Sequence, residues 1–162
     1  MTKPRTKTMP NRMPDNRKVI EASPFSVHQA DLHYQVVPQD SARHGDEVAV
    51  WRVILAPVNI AADPLALEIH GDVVVGSDED TEGAPDVNLA GWEGYQHGVS
   101  RRHLMLRPSR NKLFLMDLRS TNGTQINGLP LGVGWAYALQ DGDLVSLGRL
   151  HLRVHIVARP ET

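Results

Sequence analysis

The stretch GVSRRHLMLRPSRNKLFLMDLRSTNGTQING, residues 98–128, decides the fold. Two runs within it alternate. His103, Met105 and Arg107 oppose Leu104 and Leu106, and Leu113, Leu115 and Asp117 oppose Phe114, Met116 and Leu118. A side-chain period of two belongs to a β-strand with one buried face, because successive Cβ atoms leave opposite sides of the pleat. Pro108-Ser109, Asn122-Gly123 and Asn127-Gly128 punctuate the runs. Asn-Gly pairs supply the positive φ angles that tight turns require.

The same period extends outward. Trp51, Val53 and Leu55 share one side of a strand with Arg52 on the other, and Leu65, Leu67 and Ile69 alternate with Ala66, Glu68 and His70. Val73 to Val75 is a short apolar run, and Val87 and Leu89 bracket Asn88. Leu150, Leu152, Val154 and Ile156 alternate with His151, Arg153 and His155, which predicts an exposed polar sheet surface on the second side. Asp63-Pro64, Gly71-Asp72 and Asp141-Gly142 add turns, and no segment sustains a 3.6-residue pattern. Many short strands at even spacing predict an all-β sandwich or barrel.

Composition agrees. The 162 residues include 13 Gly and 11 Pro, no Cys, and 41% hydrophobic side chains, enough for one domain with a true core and without disulfides or thiolate metal sites. No apolar run reaches the roughly 20 residues of a membrane helix. The basic N-terminus lacks a signal peptide's apolar segment, so the expected compartment is the cytoplasm.

The chain divides into a flexible basic tail (1–24), an N-terminal extension that can include the first strand of the sandwich (25–60), the main domain (61–158) and a C-terminal tail (159–162). Residues 1–22 hold six of the 17 basic side chains (Lys3, Arg5, Lys7, Arg12, Arg17, Lys18) and two of the 19 acids. Eleven basic and seventeen acidic residues remain for the body. An acidic body repels a nucleic-acid backbone, so the tail reads as a solvated arm and no nucleic-acid partner is expected.

Three fragments in order carry a family resemblance. They are Val99-Ser100-Arg101-Arg102-His103; Asp117 to Thr124 with Ile126-Asn127-Gly128; and Leu139-Gln140-Asp141-Gly142-Asp143-Leu144-Val145-Ser146-Leu147-Gly148. Together, across about Leu65 to Val157, they closely resemble the forkhead-associated (FHA) domain. The resemblance implies a β-sandwich of about eleven strands in two antiparallel or mixed sheets, whose loops at one end grip a phosphothreonine peptide.

The residue types suit that ligand. A phosphate dianion offers only acceptor oxygens, so a site for it needs hydroxyls, amides, N–H groups and cations. The resemblance implies that Ser100 and Thr121 contact the phosphate, that Asn122 holds the peptide backbone, and that Arg101 or Arg102 supplies charge. Arg101 is the better ligand candidate because Arg102 leads into the strand. His103 would brace the loop, Gly123 would permit close backbone approach, and Asn127-Gly128 would form a turn that also buttresses the site.

The sequence departs from the family in one place. The family usually carries a Gly-Arg pair whose arginine meets the phosphate; here the pair reads Gly76-Ser77, followed by Asp78, Glu79, Asp80 and Glu82. Ser77 remains a candidate phosphate contact as a neutral hydroxyl. The acids either repel a phosphate, select a basic peptide flank, or turn away from the site. The segment 78–98 is also longer than usual, and its Trp92 and Tyr95 either contact a peptide or anchor their own loop.

Two binding functions follow. The first is a phosphothreonine-dependent adaptor in serine/threonine kinase signalling, its partner a phosphoprotein, a kinase or a kinase substrate. Self-association is a further expectation, through phosphorylation of Thr2, Thr6 or Thr8 in the tail. The alternative is a phospho-independent interaction module built on Trp92, Tyr95 and the sandwich surface. An enzyme is not expected: Ser100, His103 and Asp117 could be cast as a hydrolase triad, but there is no Gly-x-Ser-x-Gly elbow, and a serine and histidine three apart on a strand point to opposite faces. His70, His97 and His103 lack metal-ligand spacing, and no cofactor is expected.

Overall fold

A computed structural model describes residues 34–36 (backbone only), 50–80 and 82–160. The predicted tail with Thr2, Thr6 and Thr8, and most of the extension before Trp51, lie outside the described residues.

Among the described residues, twelve strands form two packed sheets. In chain order they are β1 (Tyr34–Val36), β2 (Trp51–Pro57), β3 (Leu65–Ile69), β4 (Val73–Gly76), β5 (Val87–Asn88), β6 (Leu104–Pro108), β7 (Leu113–Asp117), β8 (Thr124–Ile126), β9 (Leu129–Pro130), β10 (Tyr137–Ala138), β11 (Leu144–Leu147) and β12 (Leu150–Ala158). The larger sheet runs β1-β3-β2-β12-β11-β8-β9 and the smaller β10-β7-β6-β4-β5. Pairing is antiparallel except for β1 with β3 and β4 with β5, so the sheets are mixed.

The alternation in the sequence marks the core. Trp51, Val53, Leu55, Leu67, Ile69, Leu150, Leu152 and Val154 from one sheet meet Val73, Val75, Leu104, Leu106, Leu113 and Leu115 from the other, all in one buried cluster. Each such side chain contributes about 1.5–3 kcal/mol of transfer free energy.

The extension of residues 25–60 contains β2, which lies inside the larger sheet between β3 and β12. On the far side of β2, Arg52 is exposed but Ile54 and Ala56 are buried, as is Ala66 beside Ile54 on β3. Finally, the polar face of β12 is not freely exposed. His151 Nδ1 lies 2.7 Å from Ser146 Oγ, Arg153 Nη1 donates to Gly142 O at 3.0 Å, and all three of His151, Arg153 and His155 are half-buried. In the tail from 159, the Arg159 guanidinium stands 6.0 Å from the Trp51 ring centroid, within cation–π range.

Candidate functional site

The connections at one end of the sandwich bring together the loop of residues 98–103 before β6 and the loop of residues 118–123 between β7 and β8. The first loop lies directly on the end of β4. Ser77 N–H donates to Ser100 O at 3.0 Å. A Cβ at Gly76 would stand 1.9 Å from Arg101 O and 2.7 Å from Ser100 O. Only glycine lets the loop backbone seat there.

His103 fixes the loop from below. It is fully buried. Its Nδ1 accepts from Ser100 N–H at 3.0 Å, and its Nε2 lies 3.0 Å from Gly123 O. These partners require a neutral ring protonated on Nε2, which joins the two loops. Burial pushes the His103 pKa below its ordinary 6.5, against the opposing pull of the Gly123 carbonyl and the Asp117 charge. The expected splaying of Ser100 and His103 on a strand does not occur, because both lie in the loop ahead of β6, on either side of a turn at residues 101–102. Their contact is nevertheless backbone to ring, and the Asp117 carboxylate is engaged elsewhere, so the three do not assemble as a triad.

Asp117 is instead the hub of the second loop. Its carboxylate, almost fully buried, accepts from Ser120 N–H at 3.1 Å, Ser120 Oγ at 2.5 Å and Thr124 Oγ1 at 2.6 Å. Arg119 and Gly123 take positive φ, 57° and 81°, and fold the loop back on itself.

The two loops then meet at their tips. Thr121 N–H donates to Ser100 Oγ at 3.0 Å, and Asn122 Nδ2 donates to Gly98 O at 3.0 Å. The Ser100 oxygen is thereby an acceptor toward Thr121 and keeps its own proton to donate. Thr121 and Asn122 are exposed, and Ser100 is half-buried. Side by side, these groups form a donor-rich surface suited to an acceptor-only oxyanion.

The two arginines differ. Arg102 is exposed and forms no ion pair among the described residues. Arg101 Nε stands 2.9 Å from Asp78 Oδ2, with the arginine side chain 60% exposed and the aspartate side chain 5%. The contact is an ion pair without the alignment of a hydrogen bond.

Ser77 does not reach this surface. It is 4% exposed, and its hydroxyl is buried without a hydrogen-bond partner among the described residues. A Cβ on Gly94 would lie 2.7 Å from that hydroxyl, so the longer 89–98 segment packs over it. A phosphate contact from Ser77 is not available in this conformation.

The acidic run divides as well. Asp78 is tied in: its N–H donates to Asn88 Oδ1, its carbonyl accepts from Asn88 Nδ2, and its Oδ1 accepts from Asp80 N–H. Glu79, Asp80 and Glu82 are exposed. Of the two aromatic residues in the longer segment, Trp92 packs against the core cluster and anchors the loop, while Tyr95 stays 73% exposed beside it.

Asn127 and Gly128 lie elsewhere. With φ of 51° and 80° they make the two-residue turn between β8 and β9. This turn closes β8 at the end opposite Gly123. Asn127 Nδ2 donates to Asp143 Oδ1 at 3.0 Å and its Oδ1 accepts from Leu144 N–H at 2.9 Å. The pair supports the sandwich rather than the loop face.

Sequence reasoning missed three supports. Gly148, at φ 57°, lets the strand end pass close to His97 O, which a Cβ would approach to 2.7 Å. Arg149 holds the 89–98 segment through Nη2 to Gln96 O at 2.6 Å and N–H to His97 O at 2.8 Å. Ser120 closes the second loop onto Asp117 through both its N–H and its hydroxyl. No group of three or more His, Asp or Glu suited to a metal occurs among the described residues, and no helix there is long and apolar enough to cross a membrane.

Comparison with known proteins places this geometry. The sequence model of the FHA domain matches residues 73–148. Protein FraH of Nostoc sp. is 40% identical over 65 residues, which cover 40% of this chain and 22% of that protein. The FHA domain-containing protein FhaA of Mycobacterium tuberculosis is 42% identical over 59 residues, covering 36% of this chain and 11% of that protein. The chain thus corresponds to a small part of either. A solved FHA domain studied for phosphothreonine-dependent interactions is 30% identical, with a TM-score of 0.52 over 66% of this chain and 98% of that domain.

Proposed function

The chain belongs to the FHA domain family, and on that premise we propose that it binds a phosphothreonine-containing segment of a partner protein and acts as an adaptor. The observation that carries the reading is the meeting of Ser100 and Thr121, where one loop's N–H occupies the serine oxygen and leaves its proton free. Phosphate oxygens would accept from Ser100 and Thr121, while the Asn122 amide, exposed at the same rim, would meet the peptide backbone. The 30%-identical domain studied for phosphothreonine-dependent interactions supports the same ligand class. The partner would be a substrate of a serine/threonine kinase, or such a kinase itself.

The test is a screen of a degenerate phosphothreonine peptide library. It is followed by titration of the best sequence and its unphosphorylated twin into the protein and its Ser100→Ala variant. Preference for the phosphopeptide, lost in the variant, is the expected result. Equal affinity for both twins in the wild type would reject it.

A second reading has its own observation. The position of the family arginine holds a buried neutral hydroxyl, Ser77. A module without that cation could bind unphosphorylated protein through Tyr95 and the rim, and equal affinity of the twin peptides is its signature.

A further inference from the structure

Asp78 is the one member of the acidic run whose side chain is buried, and it stands against Arg101, the one arginine of the two site loops with an ion-pair partner among the described residues. Its position is fixed independently of that arginine. The Asp78 backbone exchanges hydrogen bonds with the Asn88 side chain, and Oδ1 accepts from Asp80 N–H at 3.0 Å. Oδ2 has no hydrogen bond among the described residues and meets only the Arg101 Nε. The carboxylate therefore cannot follow the arginine, whereas the largely exposed arginine can settle against the carboxylate.

A guanidinium has two edges. Nε occupies one; Nη1 and Nη2 together form the end that binds oxyanions in a fork. Asp78 takes the Nε side and leaves the fork unused. Arg101 follows Ser100 directly, and its own backbone is seated on Gly76, so the guanidinium is tethered next to the hydroxyl and N–H donors at the loop tips.

Resting on the phosphothreonine reading, we propose that Asp78 is a positioning residue that holds Arg101 by Nε so that its Nη fork meets the phosphate, replacing the arginine that the buried Ser77 cannot supply. The carboxylate beside the pocket is then an orienting group for its cation rather than a repulsive one. An ordered guanidinium loses less rotamer freedom when the phosphate arrives.

The experiment titrates the full chain with the selected phosphothreonine peptide and its unphosphorylated twin, in the wild type and in Asp78→Asn, Arg101→Gln and the double variant. Asparagine keeps the oxygen that receives Asp80 N–H. Asp78→Asn should weaken the phosphopeptide by about five- to tenfold, less than the loss of a whole charge-assisted hydrogen bond because the arginine itself remains, and leave the twin unchanged. Arg101→Gln should weaken it at least as much. The double variant should match Arg101→Gln alone, since coupled residues are not additive.

Unchanged or tighter phosphopeptide binding by Asp78→Asn overturns the proposal, because a carboxylate that merely repels or competes gives that sign. An additive double variant overturns it too. Arg101→Lys gives a check that leaves Asp78 intact: a lysine keeps the charge but cannot serve carboxylate and phosphate from separate edges, so it should bind like Arg101→Gln, and wild-type affinity would overturn the proposal. A wild type that binds both twins equally overturns the phosphothreonine reading itself and this inference with it. A wild type that prefers the phosphopeptide while every variant matches it overturns the inference alone.

Discussion

The N–H of Thr121 donates to the hydroxyl of Ser100 at 3.0 Å across a gap of 21 residues. Everything else in the loop face keeps that contact in register: Gly76 beneath Arg101, His103 between Ser100 and Gly123, and Asp117 inside the second loop. Neither loop has an internal strand ladder. Side-chain hydrogen bonds hold much of each loop, so substitutions at the exposed tips should separate binding from folding.

Ser100→Ala removes both the acceptor of the Thr121 N–H and the hydroxyl offered to phosphate. Phosphopeptide affinity should fall by about 1.5–3 kcal/mol, the usual range for a hydrogen bond to a charged group. Thermal stability should change little, since the residue is only half-buried and the Thr121 N–H it releases is exposed to water. Calorimetric titration alongside a melting curve measures both.

His103 should make stability fall in acid. Its folded pKa lies below the 6.5 of the unfolded chain because burial disfavours the cation. The unfolded state therefore takes up the proton first. Stability is fully present above about 6.5 and declines as the pH drops toward the lowered native value. Protonation also places a proton on Nδ1, which must accept from Ser100 N–H. Burial shifts His155 in the same direction, so the wild-type slope contains both. Urea midpoints at about pH 7.5 and about pH 5 should differ less in His103→Gln than in the wild type, although that variant starts from lower stability.

Ser77→Ala should leave phosphopeptide binding unchanged and hold or raise stability. Its hydroxyl is buried without a partner among the described residues, and an unsatisfied buried polar group costs about 1–3 kcal/mol. Ser77→Arg should not restore a family-like pocket, because Gly94 packs against the site of its side chain; it should instead lower the melting temperature. A gain in phosphate affinity by Ser77→Arg without loss of stability would contradict the buried placement.

Asp117→Asn should weaken both folding and binding. With its oxygen at the Oδ1 position the amide keeps the two hydroxyl donors but sets N–H groups against the Ser120 N–H that now donates to Oδ2; turned over, it keeps the Ser120 N–H and sets its N–H groups against the hydroxyls. A loss of about 1.5–3 kcal/mol in unfolding free energy is expected, with a parallel loss of phosphopeptide affinity as residues 118–123 loosen. Unaltered binding at reduced stability would show that the loop keeps its shape without this hub.

Sequence by itself determined the architecture and which loops carry the candidate site. The period of two in Leu104–Leu106, Leu113–Asp117 and Leu150–Ile156 marks buried faces because a pleated strand admits no other arrangement of its side chains. Ser100, Thr121 and Asn122 were legible as candidates because the fragments that carry them stand on loops between those strands.

Tertiary structure alone decided which neighbours each loop residue meets. Ser77 and Asp78 are adjacent polar residues in the chain, yet one is sealed under Gly94 and the other faces Arg101. Asn122-Gly123 and Asn127-Gly128 are the same dipeptide five residues apart, and they lie at opposite ends of β8. Ile54 lies on the side of β2 away from the core cluster and is buried all the same. A local pattern encodes the direction of a side chain relative to its own backbone; the segment packed against it comes from elsewhere in the chain, and only the folded arrangement specifies that.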